Sequence, residues 1–249
     1  MIKRFFPIMN DDTDKGMHFA LLAYWVFAFE VMPSWIPLIA DGLWDNLQVT
    51  SWIEIIYRVI NCLVVVVMLK TYLADSFFIV QLDPKGFLRI VGLSAVVMLV
   101  LAGMMYDFLD ITAVNAYPIN EKSVALTSGN LIAQQPIIGT ICSSLVTPFS
   151  VVGLFYASSF APVCRRNRWL GYVVLTAFLA VPCVLDILWR GQQDLTIPAF
   201  LLQLPMHWIA CWTYQKADTI WAPIATLAIF NLGTSLMNVV YIYTTASPF

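Results

Sequence analysis

Apolar residues in this chain come in long unbroken runs, with neither strand-like alternation nor a single helical stripe. Residues 17–40, 51–69, 87–108, 137–161, 169–189, 197–213 and 220–243 are such runs, and most approach the roughly 20 mostly apolar residues that an α-helix needs to cross a bilayer. Helices are the expected element, because a segment in hydrocarbon must satisfy its own backbone N–H and C=O groups. The pattern predicts an all-α fold: a polytopic transmembrane helix bundle of about seven spans (6–8), forming a single integral membrane domain over 1–249. Between the runs, DITAVNAYPINEKSVALTSGNLIAQQP within 109–136 has the Asn, Ser, Gly and Pro content of a long outer loop. KTYLADSFFIVQLDPKG, 70–86, reads as an inner loop whose apolar patch, Phe77 to Val80, lies at the membrane interface.

Composition strengthens the membrane reading. Sixty per cent of the residues are apolar or aromatic, 11% are charged, and the mean hydropathy is +0.79, outside the range of ordinary soluble domains. A net charge of −2 gives no reason to expect nucleic acid as a partner; the lipid bilayer is the expected surrounding.

Charge distribution says more than its sum. With a cytoplasmic amino terminus, Lys3, Arg4, Lys15, Lys70, Lys85, Arg89, Arg165, Arg166, Arg168 and Lys216 all fall inside, Lys122 and Arg190 fall outside, and Arg58 falls within a span. That asymmetry is the positive-inside pattern, and an added or missing span would scramble it. The first run is too long for a signal-peptide core and lacks a small-residue cleavage site, so it reads as a retained helix.

Cys62, Cys142, Cys164, Cys183 and Cys211 show no metal-type spacing and read as small apolar packing groups. The acidic start NDDTDKG has its glycine one place too late for a calcium loop and reads as a solvated tail.

A charged or strongly polar side chain is costly inside a bilayer unless paired or facing water, which makes each one a functional candidate. Glu54 and Arg58 are four residues apart, hence on one helix face, with Asn61 one turn on. An intrahelical ion pair is the plain explanation, and a substrate or ion site is the alternative. Glu30 precedes Pro33 and Pro37, near a helix disruption that frees backbone carbonyls, and reads as a cap on a partner helix, with the lining of a cavity as the alternative. Gln203 and His207 are one turn apart, and a lone intramembrane histidine usually serves as a hydrogen-bonding group. Asp186 and Arg190 have the spacing of another ion pair. No GxSxG, HExxH, Walker or dinucleotide-binding pattern is present.

Four segments carry a further signal. TIWAPIATLAIFN, Thr219 to Asn231, follows the pattern (S/T)-I-W-x-P-I-x-x-H-x-x-x-N, with Trp221, Pro223, Ile224 and Asn231 in place and Leu227 at the histidine position. PFSVVGLFYAS, Pro148 to Ser158, follows P-x-x-E-E-x-x-F-R-G, with Pro148 and Phe155 in place. There Val151 and Val152 stand for the glutamates and Tyr156 for the arginine. LTAFLAVP resembles L-x-F-x-x-x-H, with Phe178 in place and Pro182 at the histidine position, and SGNLIAQQPII resembles an N-Q-x-x-I lead-in.

Together these resemble the CPBP family of intramembrane metalloproteases, the CAAX proteases and bacteriocin-processing (Abi) enzymes, over a core at residues 130–240. The resemblance implies a bacterial cytoplasmic membrane and a CAAX-protease-like bundle. In active members glutamates and histidines hold a metal or activate water, since a metal-bound water is nucleophilic near neutral pH. Valine, leucine and proline neither ligate a cation nor accept a proton. The expectation is a degenerate, non-catalytic member (a pseudoenzyme) with no catalytic residue, metal or cofactor, which binds another membrane protein as scaffold or regulator. Glu54 and Arg58, with Tyr57 between them, mimic part of the first motif, but no histidine occurs between His18 and His207 to complete it.

Two other functions stay open. One is an active intramembrane metalloendopeptidase in which Glu30, Glu54 and His207 converge, and only there is zinc expected. The other is a small-molecule transporter using the intramembrane charges and proline-broken helices.

Overall fold

The computed structural model of the chain describes residues 20, 21, 23, 24, 26–31, 47–108, 135–160, 163, 164, 167–190 and 193–245. Every regular element among them is helical, with no strand. We label them α1 (Val26–Val31, a π-helical turn), α2 (Leu47–Leu82), α3 (Pro84–Phe108), α4 (a continuous helix over 136–160), α5 (Arg168–Arg190), α6 (Gln193–Ala217) and α7 (Trp221–Thr245). Among the described residues three stretches are long and apolar enough to cross a membrane: Ser51–Leu82, Pro84–Met105 and Ile137–Phe155. Arg168–Ala180 and Trp221–Leu236 are shorter apolar stretches. The amino-terminal segment up to residue 19, Pro33, Pro37 and residues 109–134, where an outer loop is expected, lie outside the described residues.

One expectation needs correction. The inner loop expected at 70–86 is helical as far as Leu82, so α2 runs unbroken for 36 residues, or about 54 Å at 1.5 Å per residue. Its sequence explains this: TYLADSFFIVQL holds no glycine or proline, and the first stop signal is Asp83-Pro84. Asp83 alone separates α2 from α3. Its carboxylate accepts the Gly86 N–H at 2.9 Å, an N-cap, and Pro84 occupies the first helical position, where a missing N–H costs little. A Cβ on Gly86 would meet the Asp83 carboxylate, so a larger residue there would make the capping side chain shift. Asn167 plays the matching part for α5, accepting the Trp169 N–H at 3.0 Å.

The start of α7 is tied to the far end of α2. Thr219 Oγ1 donates to Ser76 O at 2.9 Å and Trp221 Nε1 donates to Leu73 O at 3.0 Å, while the Trp221 ring meets Phe77 and Phe149. Pro223 falls in the first turn of α7, where its missing N–H breaks no ladder bond. The turn before it passes through Asp218 in the left-handed region, φ 56°, with its N–H on Tyr214 O.

α7 is the hub of the bundle. It packs on α3, α6, α4 and α2, while α5 packs on α6 and α4 on α2. α3 and α7 meet closely at Gly233, where a Cβ would come 2.8 Å from Leu99. One continuous buried cluster runs through Val65, Leu69, Met98, Leu154, Phe160, Met206 and Ile220. Outward faces of α2 and α3 carry Ile56, Leu63, Val67, Leu93, Val96 and Val100 exposed, the composition of a lipid-facing surface.

Candidate functional site

The inner stripe of α2 changes character along its length. Ser51, Glu54, Arg58 and Asn61 are buried in its first half, followed by Val65, Leu69 and Leu73, then Ser76. Three- and four-residue steps put all of them on one helix face. The first half makes an interior polar cluster. Arg58 donates to Glu54 Oε1 at 2.8 Å and to Thr147 Oγ1 of α4 at 2.8 Å, with both charged side chains under a tenth exposed. Thr147 Oγ1 passes the chain on to Cys142 O at 3.1 Å. Asn61 accepts the Tyr24 hydroxyl at 2.5 Å and donates to Tyr57 O at 3.0 Å, and Tyr57 donates to Ala28 O of α1 at 2.6 Å. The ion pair anticipated from the sequence is therefore present, and it works as an interhelix tie as well, because the arginine fork has donors to spare.

α4 supplies the other half of the cluster because it is not a regular α-helix. Cys142–Val146 is a π-helical stretch, closed by the Thr147 N–H on Cys142 O, and Tyr156–Phe160 is a second one. In that five-back register the next bond would run from residue 148 to Ser143 O. Residue 148 is proline and has no N–H. The Asn231 side-chain amide of α7 donates to Ser143 O instead, at 3.3 Å. Ser143 and Ser235 hydroxyls meet 3.2 Å apart on the same α4–α7 seam.

The degenerate motif positions fall on packed helices. Val152, Phe155, Tyr156 and Leu227 belong to the large buried cluster. Phe155 and Phe178 rings meet edge to face at 5.1 Å, and the Tyr156 hydroxyl donates to Cys211 Sγ at 3.3 Å. Glu30, Val151, Pro182, Asp186 and Arg190 lie in helices, but their side chains are outside the described residues. Gln203 is buried on α6 and His207 half-buried one turn later. Among the described residues no three His, Cys, Asp or Glu side chains are placed to hold a metal ion.

Sequence reasoning missed the partners that complete these ties: Tyr24, Cys142, Ser143, Thr147, Cys211 and Ser235. The run CSSLVTP, with three hydroxyl residues ahead of a proline in an apolar segment, was the available signal. Protein-family models, curated proteins and solved structures were all compared with the chain, and none of them matches.

Proposed function

We propose that the chain is a non-catalytic CPBP/Abi-type protein of a bacterial cytoplasmic membrane, with seven spans and a cytoplasmic amino terminus, serving as scaffold or regulator for a partner membrane protein. The supporting observation is what stands at the motif positions. Val152 and Leu227 are core packing groups, Tyr156 is committed to Cys211, and Asn231 repairs the gap that Pro148 leaves in α4. Side chains that ligate or move protons are replaced there by ones that hold helices together, and membrane helices associate through such packing and interhelix hydrogen bonds.

The test is purification of the intact protein in mild detergent, with metal content and cleavage of transmembrane peptide substrates measured on the same sample. The proposal expects neither stoichiometric metal nor cleavage, together with a stably co-purifying membrane protein. Chelator-sensitive cleavage overturns it. The buried Glu54 favours a second reading, an active enzyme built on Glu30, Glu54 and His207, for which Glu54→Gln abolishes that cleavage.

A further inference from the structure

We infer that the surface shared by the start of α5 and the end of α6 is a binding site for one anionic phospholipid. The inference rests on the membrane placement of the bundle and on nothing in the scaffold reading. α5 and α6 pack against each other, and Tyr172 holds their ends together, its hydroxyl 3.5 Å from Gln215 Oε1. The same two helix ends carry Arg168 and Lys216, both exposed, and Trp169, Trp208 and Trp212, which are 78%, 44% and 39% exposed. The Trp169 and Trp208 rings both meet Tyr172, at 6.2 and 6.1 Å. Trp208 is further fixed by its Nε1 donating to Thr176 Oγ1 at 3.2 Å.

Spacing along α6 matches a lipid. Trp208, Trp212 and Lys216 recur every four residues on one face, so the cation lies about 12 Å along the axis from the deepest indole. That separation suits a phosphate at one end and the upper acyl chain at the other. Lys216 Nζ lies over the Trp212 ring at 5.8 Å from its centroid, and among the described residues neither it nor Arg168 has a carboxylate partner. Arg168 is one turn before Tyr172 on the facing helix, so a cation from each helix stands beside the aromatic side chains, and among the described residues neither is ion-paired. Such a surface complements a phosphodiester carrying net negative charge. A zwitterionic headgroup would bring its own ammonium against the two cations.

An ordinary aromatic belt would also place tryptophans at the interface, but a belt does not discriminate headgroup charge. The full chain is reconstituted in phosphatidylcholine vesicles containing a small fraction of brominated phosphatidylglycerol or, separately, brominated phosphatidylcholine, and tryptophan quenching is recorded. The site predicts stronger quenching by the brominated phosphatidylglycerol, a preference that falls roughly fivefold for each of Arg168→Gln and Lys216→Gln. It persists in the charge-retaining pair Arg168→Lys and Lys216→Arg, and in Lys70→Gln with Lys85→Gln, exposed cations elsewhere on the chain. Equal quenching by the two lipids overturns the inference, as does an equal loss in the Lys70 and Lys85 variant or reversal by millimolar inorganic phosphate. Absence of quenching by both lipids overturns the membrane placement itself and the inference with it.

Discussion

If the Asn231 amide stands in for the N–H that Pro148 lacks, the two residues must be energetically coupled although they lie on different helices. Asn231→Ala leaves Ser143 O, in the π-helical stretch of α4, without its 3.3 Å donor. Interhelix hydrogen bonds in membrane proteins contribute about 0.6 kcal/mol on average and up to about 1.7, so a loss of about 1 kcal/mol is expected. Pro148→Ala restores a backbone N–H at the position that the five-back register assigns to Ser143 O. In that background Asn231→Ala removes a donor that is no longer needed, and its effect falls to about 0.3 kcal/mol. The difference, a coupling of about 0.7 kcal/mol, is within reach of a double-mutant cycle. Unfolding by titration of mixed micelles with a denaturing detergent, followed by tryptophan fluorescence, supplies the four free energies. Equal losses from Asn231→Ala in the parent chain and in the Pro148→Ala variant would mean that Asn231 does not stand in for the missing N–H.

Four further outcomes follow from the same geometry and are read in the same unfolding assay. Arg58→Met strands a buried carboxylate on α2 and should destabilise by roughly 3–5 kcal/mol, whereas Glu54→Met with Arg58→Met should lose less than the single variant. Gly233→Leu, which drives a side chain into Leu99 at the α3–α7 contact, should lose about 1–3 kcal/mol. Gly103→Ala, with no atom within 4 Å of the added Cβ, should gain up to about 1 kcal/mol from helix propensity. Trp221→Phe keeps a ring against Phe77 and Phe149 but removes the donor to Leu73 O, for a loss of about 1 kcal/mol.

Helix placement is legible in the sequence because apolar runs and their punctuation are local. Most of the long helices begin and end within a few residues of the runs that announce them, and the Glu54–Arg58 pair follows from spacing alone. The reading fails at 70–86, where Lys70 and Asp75 suggest the edge of a loop. A helix that satisfies its own backbone has no reason to stop at a charge, and α2 stops only at Asp83-Pro84. The site is less legible because its ties cross between distant segments. Arg58 reaches Thr147 and Asn231 reaches Ser143 across 89 and 88 positions in the chain, and local spacing carries no record of such pairings. In the sequence Pro148 is a motif residue, and its physical role becomes visible only with the register of the π-helical stretch.

Native mass spectrometry of the chain, extracted with its own membrane lipids, reads bound polypeptide and bound metal in one spectrum. A non-catalytic scaffold is expected as a complex heavier than the chain by a discrete membrane polypeptide, with no stoichiometric divalent ion. A chain without a bound polypeptide that carries one divalent ion would contradict it.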